Sequence, residues 1–447
     1  MHARLPKGFL VILGLLLLFL ALGRAAFGAD VPPLPVDRDG RFLGVDTCGS
    51  SECHGSPEPW RNATVLMRER LIWEAHDAHA KAYASLESEA GKRIARNLGL
   101  ADAAQAPECL VCHTTWVPAA QRGPKFRLDA GVGCESCHGP GGSFLRAHVQ
   151  STSKHASNIA AGMFPTTNPE ARAALCLSCH QGDATRRISH RIYGAGHPRL
   201  RFELDTYGVN QPYHFNPDAD YRRRKPTSSH FRLWAAGQLR AASSLLDQVG
   251  DPARAHAGIF PELANYDCHA CHQAIGDDPG YRPRPGLRAG APTLIDAPLV
   301  ALRGLSAVVD PTLTTRLRDE TRALQLALDQ PAQRDAAVAA LRRSLAELEA
   351  RTLARTEQPA DGRAVAHALN AMVAAEQPLP FTAAEATAMS LSTLLLAEHE
   401  AGRLADADFA RVNKALDAVY AALGDERTYR PATLAGAVAA LDRELGR

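Results

Sequence analysis

Cys109-Leu110-Val111-Cys112-His113 decides how this chain is read, and its pattern recurs as Cys134-Glu135-Ser136-Cys137-His138, Cys176-Leu177-Ser178-Cys179-His180 and Cys268-His269-Ala270-Cys271-His272. A stretched version runs from Cys48 to Cys53-His54, with four residues between the thiols. All ten cysteines of the chain fall in these five motifs, and a histidine follows every second one. Two thiols at this spacing can add to the two vinyl groups of a porphyrin, and the histidine behind them can then ligate the iron. Residues three and four apart share a helix face, so in the four tight motifs sulfurs and imidazole converge on one side. In the first motif the spacer must bulge outward to bring its thiols to the same separation.

Two other chemistries compete for such pairs. Five disulfides are arithmetically possible, but disulfide pairing gives no reason for a histidine after each second thiol. Zinc uses paired cysteines as half-sites, yet each adjacent histidine here could not reach the same ion as its own pair. The expectation is therefore about five covalently attached haem c groups. Their tethers are Cys48, Cys53, Cys109, Cys112, Cys134, Cys137, Cys176, Cys179, Cys268 and Cys271, and their proximal ligands His54, His113, His138, His180 and His272.

The N-terminus agrees with assembly outside the cytoplasm. Met1 to Lys7 is short and basic, Gly8 to Gly23 is continuously apolar, and Ala25-Ala26-Phe27-Gly28-Ala29 offers small residues for a peptidase. Residues 1–28 thus read as a signal peptide or an N-terminal membrane anchor. The apolar run is at the short end for a spanning helix, which favours cleavage and a periplasmic product over an inner-membrane anchor. The net charge of +2 falls just below zero once Arg4, Lys7 and Arg24 leave with the leader, so a nucleic-acid partner has no support.

The rest divides into four stretches. Residues 29–46 hold Val31-Pro32-Pro33-Leu34-Pro35, an extended tether. Residues 47–275 carry all the motifs on pieces of helix expected to be short, between Gly- and Pro-rich loops such as Gly139-Pro140-Gly141-Gly142. With aromatics at 6%, porphyrins would supply much of the core there. Residues 276–292 are dense in proline and glycine and read as a linker. Residues 293–447 contain no cysteine and show helical stripes, Leu313, Leu317, Leu324, Leu328 and Val338, Leu341, Leu345, Leu348. Thr382 with Glu385 has the spacing of a capping box, Gly424 can end a helix and Pro431 can begin the last one. His367 and His399 are expected to be ordinary structural histidines. The fold class is mainly α: a loop-rich multihaem cytochrome domain of short helices, followed by a C-terminal antiparallel helical bundle.

Ten histidines of the motif region remain as second axial ligands: His76, His79, His148, His155, His190, His197, His214, His230, His256 and His269. Methionine is scarce there, only Met67 and Met163, so His/His ligation and a low-potential regime are expected. The favoured distal ligands are His79, His148, His190, His197 and His214. His148 and His155 are seven apart and can share a helical face, whereas Gly194 and Gly196 break any helix between His190 and His197. His269 sits between two tethering thiols and cannot serve its own motif. Arg186, Arg187, Arg191, Arg199, Arg201 and the run Arg222-Arg223-Arg224-Lys225 offer counter-charges to haem propionates.

The motifs, together with Trp73, His79-Ala80-Lys81-Ala82, the stretch from Gly196 to Leu204 and Phe260-Pro261-Glu262-Leu263, resemble the multihaem cytochrome family typified by the tetrahaem electron acceptor of hydroxylamine oxidation. The resemblance spans roughly residues 40 to 275. It implies His79 and His197 as distal ligands, and it leaves an additional motif and the C-terminal helices outside the family pattern. Two functions follow. The first is an electron carrier passing single electrons between redox partner proteins. The second is an oxidoreductase in which one iron, most readily that of the odd first motif, lacks its distal histidine and binds a small nitrogen or sulfur compound.

Overall fold

Ser229 opens the longest helix of the motif region, accepting from the amide of Arg232 and leading into His230–Gly250. The computed structural model describes residues 31–60, 65–258, 260–272, 287, 291–353, 361–375 and 378–446. The leader and most of the 276–292 linker lie outside the described residues. Helices dominate, and the only strands among the described residues are His256–Ala257 and Phe260–Pro261, paired antiparallel.

The C-terminal half is a set of helices running Ala297–Val309, Pro311–Ala327, Pro331–Leu353, Gly362–Ala375, Phe381–Glu400, Asp406–Ala421 and Pro431–Leu445. Both leucine stripes face its interior: Leu313, Leu317, Leu324, Leu341, Leu345 and Leu348 are fully buried, while Leu328 at the end of its stripe is only partly covered. Pro431 stands at the first position of the last helix, where its missing amide costs nothing. Gly424 lies just past the end of Asp406–Ala421.

The structure corrects the expectation that the motif region holds only short helices. His230–Gly250 spans 21 residues, and its Phe231, Trp234, Leu239, Leu245 and Leu246 belong to the same apolar core as the C-terminal helices. That core thus extends back across the linker, and the helix presents its other side to Pro169–His180, which ends in a motif.

Thr382 and Glu385 are a second correction. The helix begins at Phe381 after Pro380, so Thr382 is already inside it and no capping box forms. Both side chains turn to the motif region instead: Thr382 donates to Asp267 at 3.1 Å and Glu385 accepts from Arg199 at 2.8 Å. His367 donates to Asp442, and His399 stacks on Phe409.

Candidate haem-binding sites

Four motifs begin on helical turns. Pro107–His113, Cys134–His138 and Pro169–His180 each end on the motif histidine, and Cys268–Ala270 is a turn of 3-10 helix. Asn168 caps the third of these by accepting from Ala171. In the fifth motif the His272 amide donates back to the Cys268 carbonyl at 2.7 Å. The stretched first motif reaches the same closure by another route. Val45–Cys48 stops at Gly49, the spacer loops out with Cys53 donating to Ser50, and the His54 amide returns to the Cys48 carbonyl at 3.0 Å. Gly55 permits this close return, since a Cβ there would lie 2.1 Å from the Gly49 carbonyl.

Each motif histidine faces a second histidine. Ring centroids are 6.3 Å apart for His54 and His148, 6.3 Å for His113 and His197, 6.3 Å for His138 and His214, 6.0 Å for His180 and His79, and 6.2 Å for His272 and His190. Two imidazoles that hold one metal from opposite faces, each with a metal–nitrogen bond of about 2 Å, have centroids about 6 Å apart. Stacked rings in direct contact lie closer, as His399 and Phe409 show at 4.2 Å, and the same 6.0–6.3 Å spacing recurs at all five motifs whatever the angle between the rings. The ring planes are near parallel at the first motif, 13°, and tilted by 28° at the fifth. At the second, third and fourth they are close to perpendicular, 86°, 81° and 90°.

The rings are oriented from behind. Nδ1 of His54 meets Glu69 at 2.8 Å, Nδ1 of His79 meets Asp77 at 2.8 Å, and Nδ1 of His113, His148 and His197 meet the carbonyls of Ala82, Leu145 and Pro198 at 2.7–2.8 Å. An acceptor at Nδ1 fixes that proton and leaves Nε2 as the ligating nitrogen. Burial also pushes His138 down to about 3 and His180 down to about 4, which keeps both rings in the neutral form that a metal requires.

None of the ten cysteines forms a disulfide. Two contacts join different motifs: Val45–Cys48 packs on Cys134–His138, with Cys48 beside Cys134, and Cys112 lies beside Cys179. Glu135 secures the first contact, its buried carboxylate accepting from the amides of Leu43, Gly44 and Gly141 at 2.7–2.8 Å. Thr115 and Ser136, hydroxyl to hydroxyl at 2.7 Å, tie the second motif to the third. Beside the fourth and fifth motifs lies an open cleft of about 150 Å³, lined by His180, Phe202, Tyr193, Arg199 and Cys268 among others. Among the described residues, no cluster of three or more His, Cys, Asp or Glu side chains could hold a bare metal ion. Paired thiols, opposed imidazoles and adjacent open space fit a thioether-bound porphyrin instead.

Three of the remaining histidines, His155, His230 and His269, have other partners. His148 and His155 do not share a helical face, because Gly141–His148 ends at the first and a separate helix, His155–Ala160, begins at the second. His155 bonds Thr167, His269 is buried edge-on to Tyr429, and His230 lies between Asp205 and Glu400. Several of the arginines are engaged by protein carboxylates: Arg186 by Asp183 and Asp37, Arg199 by Glu385 and Glu426, Arg223 and Arg224 by Asp220.

Residues 48–139, which hold the first three motifs, match the model of the family described as cytochrome c554 and c-prime. Cytochrome c-554 of Nitrosomonas europaea is 33% identical over 123 residues, 25% of this chain and 44% of that protein, so the match spans less than half of the relative's length. No solved structure matches the chain.

Proposed function

We propose, on the premise that residues 48–139 are of the cytochrome c554 and c-prime family, that the protein is an exported, periplasmic electron carrier with five covalently bound haem c groups. Each group is held by the two cysteines of one motif and ligated by two histidines: His54 with His148, His113 with His197, His138 with His214, His180 with His79, His272 with His190. When bound, haem iron stores and releases single electrons between the ferric and ferrous states. The chain's own residues fix five of the ligand rings through Nδ1, hold His138 and His180 neutral by burial and bring neighbouring motifs into contact.

One observation carries this proposal: all five proximal histidines, that of the odd first motif included, have a second imidazole at the spacing two ligands of one iron would have. A second ligand at every site favours electron transfer over the oxidoreductase alternative, which needs an iron with an open side. Redox partner proteins follow from that role. Among the described residues no helix is long and apolar enough to cross a membrane, and the leader's fate is read by sequencing the mature N-terminus.

Intact mass of protein matured in a host competent for haem attachment is expected to show five haem additions. The oxidised spectrum is expected to be wholly low-spin and indifferent to nitrite, hydroxylamine and sulfite. Four additions would remove the Cys48 motif from the set. A high-spin component that shifts with one of those compounds would replace the carrier with the oxidoreductase.

A further inference from the structure

The five opposed pairs differ in what stands behind them. Where an acceptor meets Nδ1, it is a neutral backbone carbonyl for His113, His148 and His197, but a carboxylate for His54 and His79. Glu69 and Asp77 are both held rigidly. One oxygen of Glu69 accepts from the amides of Leu66 and Met67 at 3.0 and 3.2 Å, leaving the other for His54. Met67 takes a positive φ of 59° to aim its amide there, the one non-glycine residue to do so among the described residues. Asp77 is buried; one oxygen serves both the amide and the ring of His79, and the other accepts from Gln211 at 3.0 Å. In Glu69 the oxygen that meets the ring is separate from the one that accepts backbone amides, and in Asp77 a single oxygen does both.

A carboxylate at Nδ1 raises the basicity of the opposite nitrogen and places a fixed negative charge behind the ligand. Both effects favour the ferric over the ferrous state, and a neutral carbonyl supplies neither to the same degree. The geometry points to Glu69 and Asp77 as positioning residues that set the first- and fourth-motif sites to lower reduction potential than the other three, an inference that rests on the five-haem reading above. The packing of the motifs gives this a pattern. The first motif touches the third through Cys48 and Cys134, and the fourth touches the second through Cys179 and Cys112. Each contacting couple thus joins one site backed by a carboxylate to one without, so an electron leaving either low-potential site has a neighbour of higher potential at hand.

The test uses the full-length holoprotein and its variants Glu69→Gln and Asp77→Asn, titrated spectroelectrochemically with EPR sampling. Each amide keeps one oxygen for the ring and removes the charge, while giving up the second oxygen's bond to the Leu66 and Met67 amides in Glu69→Gln and to Gln211 in Asp77→Asn. EPR identifies the site: near-parallel imidazoles, as at His54 and His148, give a rhombic low-spin signal, while perpendicular ones, as at His79 and His180, give a signal with one large g value. Glu69→Gln is expected to raise the midpoint of a rhombic site alone. Asp77→Asn is expected to raise that of a large-g site alone. Each shift should amount to at least a tenfold change in the oxidised-to-reduced ratio at fixed potential, about 59 mV for a one-electron couple. Five unmoved midpoints, or five that move together, would overturn the inference. Should one variant fail to acquire haem, the other decides alone by the same criterion. A wild-type protein without low-spin bis-imidazole signals would bring down the five-haem reading itself, a result distinct from unmoved midpoints.

Discussion

At the scale of single residues, a histidine in this chain is defined by what lies on both sides of its ring. His148 shows it best: its Nδ1 is tied to the Leu145 carbonyl three residues back and its other edge is turned to His54. Replacing His148 with alanine is expected to leave five haems attached and convert one of them to high spin, readable in the absorption and EPR spectra. The change should fall on a rhombic signal, because the His54 and His148 planes are near parallel. The motif residues are legible in the sequence, since their chemistry is local and repeats five times. Which second histidine faces which motif is not. His79 precedes the second motif and yet faces His180 of the fourth, a pairing fixed by long-range packing that no spacing rule encodes. Glu69 and Asp77 could have been suspected only from their closeness in sequence to a turn and to His79, a signal shared by many surface carboxylates.

Among the elements, His230–Gly250 departs most from the sequence reading. The breaker-rich linker at 276–292 suggests a boundary, and the apolar face that crosses this boundary emerges only when its partners are in place. Leu246 is fully buried in the common core. Leu246→Ala should cost about 2–5 kcal/mol, as large-to-small changes in close-packed cores do, measured as a lowered urea midpoint by far-UV circular dichroism. Because the helix also packs on Pro169–His180, the same variant should loosen the fourth motif before the others. Thr382 and Glu385 teach the converse lesson. A short signal with the right spacing was available locally, but the two side chains find better partners in Asp267 and Arg199 across the chain.

For the whole molecule, the motif region and the C-terminal helices are held together by charge as well as by apolar packing. His230 lies between Asp205 at 2.8 Å and Glu400 at 3.0 Å. Burial alone would lower its pKa, but the two carboxylates outweigh it and raise the ring to about 9. A folded-state value above the unfolded one means the contribution is fully present below about pH 6.5 and is lost as pH rises through about 9. Discounted for the partly open position of Glu400, it amounts to roughly 1–3 kcal/mol. The wild-type advantage in urea midpoint over His230→Gln should therefore be full at pH 6 and nearly gone at pH 10.

The crossing pairs also bear on biogenesis. A polypeptide threaded through a membrane from its N-terminus delivers His54 well before His148, and His79 well before His180, so every porphyrin would be tethered or awaited while its pocket is still missing a wall. By order of emergence, the pockets would close at the first motif with His148, then at the fourth, the second, the third and finally the fifth. Truncated chains stopped between these points should stall with a countable number of half-finished centres.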